Sequence, residues 1–379
     1  MGAGIHVLNA SDSIRKTGKL TIRSIIPFLI LLLAGPGPLF AQGQAGRVFE
    51  FLNLPASARI TALGGYGFPD LENDLGMALM YPSLLQPEFS NHLSLNVVDY
   101  FDDISYGTVA FSRSFERIGS FSGSVQYINY GRFTESDDVG ETHGTFTAGE
   151  YAFMVGWGRR IGENLYIGSN LKSIHSFYYD TNAWGFGVDV SMAYLRPDIG
   201  LATGLVARNI GYQIIPFRKG NQEPMPFDLV LGGSLKLANA PFRFSLVAHN
   251  LHRFDLTYIS PESQPTGPFS PQPQTDGFGD KVSDLADKTM RHVVVGLEFL
   301  PSQNFSFRVG YNYRRRQEMK VDTRLSTVGL SWGFGFRISR FHLSYGRSNH
   351  HLAGAPNHLS LSTSLGDLFH RPEQVPVNE

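Results

Sequence analysis

The sequence predicts an all-β fold, a transmembrane antiparallel β-barrel of about 14 strands with a short, partly helical N-terminal plug segment. Two observations lead to this prediction. Large apolar residues alternate with small or polar ones in many successive segments, and the connections between these segments are alternately short and long. Both features are typical of barrels that cross a membrane with strands.

The alternation is clearest in the segment Thr327–Phe336. One face carries Val328, Leu330, Trp332, Phe334 and Phe336, and the other carries Thr327, Gly329, Ser331, Gly333 and Gly335. A membrane barrel turns its bulky face to lipid and its small face to the lumen. We therefore expect Leu330→Arg to cost ~2–4 kcal/mol and Ser331→Arg to cost far less.

Fourteen segments carry such a pattern, and most have the ~9–11 residues that a spanning strand needs. They are His92–Tyr100, Ser105–Phe115, Ser120–Tyr130, Thr145–Trp157, Leu165–Phe177, Trp184–Leu195, Gly200–Arg208, Phe227–Leu237, Phe242–His249, Arg291–Leu300, Asn304–Tyr313, Ser326–Phe336, Phe341–Ser348 and Asn357–Leu365. An even number of strands is what single-chain bacterial barrels require.

The connections between these segments predict the topology. The even-numbered ones are short: 116–119, 159–164, 196–199, 238–241, 301–304 and 338–340. Most odd-numbered ones are long: 131–144, 209–226, 250–290 and 314–324. Because bacterial barrels have short periplasmic turns and longer outer loops, we expect both ends of the barrel domain in the periplasm and the long loops outside. The Pro- and Gln-rich loop 250–290 is predicted to be extended.

The N-terminus has the pattern of a secretory signal peptide. Basic residues precede the short apolar run Ile25–Leu33, and Gln42 is a plausible mature start. The run is too short for a spanning helix. The predicted divisions are a signal peptide (1–41), a plug or lead-in (42–91), an outer-membrane barrel (92–365) and a C-terminal tail (366–379).

Composition excludes several other classes of protein. Charged residues are 17% of the chain, against ~25% in soluble domains. A net charge of −1 gives no field to attract nucleic acid, and the absence of cysteine excludes disulfides and a catalytic thiol. No catalytic motif stands out, so we predict a non-enzyme without a cofactor or a metal site.

Two groups of residues are candidate sites. Arg314, Arg315 and Arg316 follow a strand at the predicted outer rim, where they either bind the phosphates of lipopolysaccharide or merely begin a solvated loop. Asn53, Pro55 and Arg59 belong either to a plug inside the lumen or to a periplasmic lead-in that covers the mouth of the barrel. A barrel of this size needs its lumen filled unless it conducts, which favours the plug.

Several motifs resemble the PorQ family of the Bacteroidota type IX secretion system. They are F-E-F-L-N-L-P-A-S-A-R-I-T-A-L-G-G (Phe49–Gly65), Q-Y-I-N-Y-G (Gln126–Gly131), A-P-F-R-F-S-L (Ala240–Leu246), G-Y-N-Y-R-R-R-Q-E (Gly310–Glu318) and H-L-A-G-A-P-N-H-L-S (His351–Ser360). The PorQ family is similar to PorV and to the wider group of FadL-like barrels. This resemblance implies a fourteen-stranded outer-membrane barrel.

The resemblance also implies a role. PorQ-like barrels hold the surface protein PorZ, in a complex with PorU and PorV that attaches secreted cargo to anionic lipopolysaccharide. No catalytic residue carries over. The chain departs from many barrels in ending without an aromatic residue. Two other functions stay open: a FadL-like transporter of a hydrophobic or small polar molecule, and, more distantly, a soluble β-sandwich enzyme.

Overall fold

In the computed structural model, fourteen strands between His92 and Ser364 form a closed antiparallel barrel. The structure describes residues 47–72, 74–100, 103–137, 139–257, 278–319, 327–349 and 355–366. The predicted signal peptide and nearly all of the C-terminal tail lie outside these residues. Each strand pairs with its sequence neighbours, and the first pairs with the last from His92↔Ser364 to Asp99↔Asn357. The prediction of fourteen antiparallel strands is confirmed.

Each of the fourteen strands overlaps one predicted segment, although the third and the seventh run six and seven residues past their predicted ends, to Ser136 and Ile215. They are β1 (His92–Asp99), β2 (Ser105–Phe115), β3 (Gly119–Ser136), β4 (Thr142–Arg160), β5 (Leu165–Tyr178), β6 (Thr181–Arg196), β7 (Leu201–Ile215), β8 (Asp228–Lys236), β9 (Phe242–Ala248), β10 (Val293–Phe299), β11 (Phe305–Asn312), β12 (Leu330–Ile338), β13 (Phe341–Ser348) and β14 (Asn357–Ser364). We call the end of the barrel that carries the β2–β3 turn the short-turn end, and the opposite end the long-loop end.

Strand length divides the barrel into two parts. The strands β3–β7, here the long-strand half, have 14 to 19 residues. The strands β8–β14, here the short-strand half, have 7 to 9. The predicted loop 131–144 is therefore wrong in its bounds, because most of it continues the β3–β4 hairpin.

Two predicted loops contain helices. The last part of loop 250–290 is a helix, α3 (Phe278–Met290), and the run that follows β11 is a helix, α4 (Tyr313–Met319). The labels α1 and α2 are kept for the helices Ala58–Ala62 and Leu75–Met80 near the N-terminus. Three-residue or four-residue 3₁₀ turns occur at Glu50–Asn53, Pro82–Leu84, Pro87–Phe89 and Pro197–Ile199. None of the described helices is long and apolar enough to cross a membrane.

The barrel is apolar outside and polar inside. Large outward side chains are exposed, among them Leu171 (51%), Leu246 (57%) and Leu359 (61%). Polar inward side chains are buried, among them Asn170 and Arg243. A soluble protein has the opposite arrangement, so this exterior suits lipid.

The segment Thr327–Phe336 shows where this alternation starts. Leu330 and Trp332 are outward and about two-fifths exposed, whereas Ser331 is buried at 1%. Val328 was expected on the lipid face, but it is buried at 2%. Gly329 explains the difference, since its φ of 87° turns the chain just before β12 begins. The pattern is therefore valid for the strand and wrong for the turn that precedes it.

Residues 47–91, here the N-terminal segment, lie inside the barrel. Val48 N donates to Pro224 O (3.2 Å) near the long-loop end, and Ser112 Oγ donates to Phe89 O (2.5 Å) near the short-turn end. Its apolar side chains, such as Ile60 and Met77, are fully buried against inward residues of the strands.

Inward glycines let the N-terminal segment approach the wall. A Cβ atom on Gly346 would meet Ala58 O, and one on Gly310 would meet the backbone between Leu63 and Gly64. These positions have no room for a larger residue, which gives a physical reason for the small inner face of β11 and β13.

Candidate functional site

Polar side chains of the wall bind the irregular backbone of the N-terminal segment. Gln126 Nε2 donates to Phe51 O (3.0 Å), Asn170 Nδ2 to Leu79 O (2.8 Å) and Arg208 Nη2 to Leu52 O (3.0 Å). On the opposite side, Ser331 Oγ donates to Ala62 O (3.1 Å). Buried backbone groups outside helices and sheets need such partners. The Ser, Asn and Gln residues of the inner face therefore stabilise the segment inside the lumen.

A network of buried charges joins the N-terminal segment to the short-strand half. Arg59 Nη2 lies 2.7 Å from Glu298 Oε2, and Arg59 Nη1 lies 2.5 Å from Asp70 Oδ2. Arg243 and Arg308 also contact Glu298, at 2.9 and 3.0 Å. Glu298 is 1% exposed and thus meets three guanidinium groups out of reach of water.

The strand register builds this network. Glu298 on β10 stands opposite Arg308 on β11 and opposite Arg243 on β9, so three charges form a row on the lumen face. Arg59 reaches the row from α1, whose first turn is capped by Ser57 Oγ accepting from Ile60 N (3.3 Å). Burial lowers the pKa of Arg59, but the carboxylates around it raise it more, so its pKa lies well above the ordinary value and the group stays charged.

A second buried pair lies on the long-strand half. Lys172 Nζ lies 2.8 Å from Asp189 Oδ2 and donates to Asn209 Oδ1 (2.7 Å). Asn209 has a left-handed φ of 56° at a bulge, where the pairing moves from Val190↔Ala207 to Val188↔Ile210. Asp189 Oδ1 accepts from Asn209 N (2.8 Å), so the carboxylate stabilises the bulge as well as the lysine.

An open cleft of about 800 Å³ lies at the long-loop end. Residues 47–50 of the N-terminal segment form one side of it, and the outer parts of β3–β6 form the other. Aromatic residues line much of its wall, including Phe146 and Tyr178, whose rings meet edge to face at 5.5 Å. Glu150 projects inward from β4 into the cleft and is 9% exposed.

The predicted plug residues all lie inside the barrel. Arg59 belongs to the charge network, and Pro55 is buried close before it. Asn53 is half-buried, where its Nδ2 donates to Glu50 Oε2 (2.9 Å) and its Oδ1 accepts from Asn209 Nδ2 (3.5 Å). All three residues therefore lie on the inner side of the wall, away from lipid.

The predicted arginine rim has a different setting from the one expected. Arg314, Arg315 and Arg316 lie in α4 and are half-buried. Arg314 Nε donates to Glu318 Oε1 (2.7 Å), and Arg315 Nη1 donates to Ser348 Oγ (2.5 Å) on the inner face of β13. The guanidinium groups of Arg314 and Arg315 are thus bound within the chain, and lipopolysaccharide binding stays a prediction.

Sequence reasoning missed the wall side of the charge network. Its signal was present as single charges in the middle of strands, in F-R-F (242–244), L-E-F (297–299) and F-R-V (307–309). Ionisable residues inside a membrane span are rare and almost always paired. Three of them on neighbouring strands, each between outward apolar residues, indicate an inner charge row.

The apolar exterior, the polar lumen and the closed sheet define the class of protein: a fourteen-stranded outer-membrane β-barrel with an N-terminal segment inside it. No family model matches the chain, and no curated protein matches its sequence.

Several solved structures are similar in shape. The toluene transporter TbuX of Ralstonia pickettii has 13% identity over 82% of this chain and 98% of its own, with a TM-score of 0.48. A FadL homologue of Pseudomonas aeruginosa has 10% identity over 82% and 98%, with a TM-score of 0.47. The toluene transporter TodX of Pseudomonas putida has 10% identity over 82% and 96%, with a TM-score of 0.46.

Proposed function

We propose that the protein is an outer-membrane transporter for a small amphipathic molecule, which enters through the cleft at the long-loop end. One observation carries the proposal: residues 47–50 form one side of the cleft and also begin the segment that occupies the lumen. A molecule bound there touches the element that has to shift before the molecule can pass. Binding and opening are therefore coupled at one place.

The size and lining of the cleft support this function. Small-molecule sites usually measure ~300–1,000 Å³ and combine apolar walls with a few polar groups. The cleft has about 800 Å³ and aromatic walls, and five carboxylates and two arginines provide its charged groups. Tyr130 and Glu150 provide a fixed polar pair at its wall, with the Tyr130 hydroxyl donating to Glu150 Oε1 at 2.6 Å.

The proposal also fixes the direction of uptake. Barrels of bacterial outer membranes keep short turns in the periplasm and long connections outside. The connection between β9 and β10 covers residues 249–292, while the one between β12 and β13 covers only 339–340. In this proposal the long-loop end with its cleft faces the outside of the cell, and the chain is exported through an N-terminal signal peptide.

A crosslink between the N-terminal segment and the wall tests the proposal. Ala58 N and Ser360 Oγ lie 2.8 Å apart, so Ala58→Cys with Ser360→Cys is a suitable pair. The natural chain has no other cysteine to interfere. With radiolabelled 2-phenylethylamine and 2-phenylethanol as probes, oxidation should abolish uptake into whole cells, and a reductant should restore it.

Each single-cysteine variant serves as the control, because it cannot lock the segment. Uptake that persists when a gel shows complete crosslinking would mean that the N-terminal segment does not need to move. Equal uptake by cells with and without the protein would remove the transport proposal altogether.

A second candidate function is the anchoring of a surface complex. The hairpin of β3 and β4, with strands of 18 and 19 residues, reaches beyond the ~9–11 residues that span the membrane and presents a wall to a partner. The PorQ-like motifs favour PorZ as that partner, with PorU and PorV, and attachment of cargo to lipopolysaccharide as the role. Affinity purification from outer membranes tests this candidate: recovery of these components without any uptake activity would favour anchoring.

A further inference from the structure

Glu150 is a buried carboxylate that meets no cationic side chain among the residues that the structure describes. It is 9% exposed, its Oε1 accepts a hydrogen bond from the Tyr130 hydroxyl at 2.6 Å, and Ser176 stands opposite it on β5. Glu298 and Asp189, by contrast, each meet an arginine or a lysine at under 3 Å. Within the described part of the chain, no lysine, arginine or histidine forms an ion pair with Glu150.

The cleft around Glu150 carries an excess of negative charge. The residues that line the cleft include five carboxylates and two arginines, Arg47 and Arg218. Arg47 faces Glu50 at 3.8 Å, which leaves Glu150 to other partners. Burial of an unpaired carboxylate is costly unless a cation accompanies it, so the site is preformed for a positive group.

The rest of the wall suits an apolar body with a cation at one end. Phe146 lies in contact with Tyr178 and Tyr179, with ring centroids 5.5 and 5.2 Å apart. Phe49 lines the cleft from the N-terminal segment. Aromatic faces attract cations and also bury apolar surface. One molecule can therefore contact the rings with its body while its charged end reaches the carboxylate.

We infer that the cleft takes an organic cation with a small apolar or aromatic body, whose ammonium or guanidinium group binds Glu150. This inference rests on the proposed function and names its substrate class. The ion pair forms at a carboxylate that is only 9% exposed, and a hydrogen bond between charged groups is stronger than one between neutral groups. The Tyr130 hydroxyl holds the carboxylate in position.

Binding to the purified full-length chain in detergent tests the inference. The probes are 2-phenylethylamine, its neutral analogue 2-phenylethanol and the anion phenylacetate, measured by calorimetry. We expect the natural chain to bind the amine at least ~10-fold more tightly than the alcohol, because a charged hydrogen bond to the carboxylate is about twice as strong as the neutral one that the alcohol makes. The anion should bind least well.

Glu150→Gln keeps the shape and the acceptor for Tyr130 while it removes the charge. This variant should lose the preference for the amine and keep its affinity for the alcohol. Glu163→Gln at the short-turn end is the matched control and should behave like the natural chain. Equal binding of amine and alcohol by the natural chain, or an unchanged preference in Glu150→Gln, would overturn the inference.

Uptake by cells separates this inference from the transport proposal. Tight amine binding that depends on Glu150, without uptake of either probe, supports the site and counts against transport. Uptake of both probes that is unchanged by Glu150→Gln supports transport and counts against the cation site.

Discussion

The two halves of the barrel share the same alternation of outward and inward residues, but they differ in strand length and in what their inner faces contact. The short-strand half has strands of 7 to 9 residues, close to the ~9–11 that cross a membrane, and its inner face holds the N-terminal segment through Glu298. The long-strand half has strands of up to 19 residues and builds the cleft from the part that reaches further. Strand length beyond the membrane requirement therefore distinguishes the half that forms the cleft, and the inner charge row distinguishes the half that binds Arg59 of the N-terminal segment through ion pairs.

The largest effect is expected at the centre of the charge network. Glu298→Gln leaves three buried guanidinium groups without their shared carboxylate. Breaking a buried ion pair from one side costs ~3–5 kcal/mol. The measurement is the free energy of unfolding in lipid vesicles by urea titration, with Glu116→Gln in the exposed β2–β3 turn as the control.

A double variant separates this loss from general damage. Arg59→Met combined with Glu298→Gln removes one of the uncompensated cations, so the pair should lose less than the sum of the single variants, with a coupling of ~0.5–3 kcal/mol. Additive losses would mean that Arg59 and Glu298 do not stabilise each other and that the N-terminal segment is held by its apolar contacts alone.

The next effect compares the two faces of one short strand. Leu330→Arg places a charge in lipid and should cost ~2–4 kcal/mol, while the N-terminal segment stays protected from protease. The sequence alone predicts that Ser331→Arg is far milder than Leu330→Arg. Ser331 is 1% exposed and donates to Ala62 O at 3.1 Å, so an arginine there collides with α1.

Ser331→Arg should therefore cost ~1–3 kcal/mol through overpacking, and it should expose residues 47–91 to protease in the folded barrel. Ser331→Ala and Leu330→Ile are the conservative controls. Full protection of the N-terminal segment in Ser331→Arg would show that the wall yields there instead of the segment.

The sequence predicts the barrel well because its signals are local. Both the alternation with a period of two residues and the succession of short and long connections are visible in neighbouring stretches of sequence. Together they predict strands such as β2 and β13 with their observed bounds. The charge network is not local in this sense. Arg243, Glu298 and Arg308 become one row only through the pairing of three strands, and Arg59 joins them across 239 residues of sequence.

Other errors of prediction have physical causes of a similar kind. The β3–β4 hairpin continues past Gly131 because its two strands pair with each other beyond a bulge, from Arg132↔Thr147 to Ser136↔Thr142. Alternation is weak there, since the part of the hairpin beyond the membrane no longer has lipid on one side.

The cleft was missed because the sequence shows Glu150 only as one polar residue on the inner face of β4. Only the fold brings Phe49 and Phe146 into the same cleft.

The smallest effect on stability should come from shortening the long-strand half. Replacing residues 135–144 with Asn-Gly joins Thr134 to Thr145, which already pair across the hairpin, and Asn-Gly suits a two-residue turn. The free energy of unfolding should change by less than ~0.5 kcal/mol, as for other surface changes, because the hydrogen bonds and ion pair described for residues 135–137 and 139–144 reach neither the charge network nor α1. Binding of 2-phenylethylamine should weaken several-fold, since the variant loses Glu135 from the cleft wall, and Glu150 should still decide the preference for a cation. A loss of stability as large as that of Glu298→Gln would instead mean that the extension supports the barrel, and that strand length and site building are not separate properties of this half.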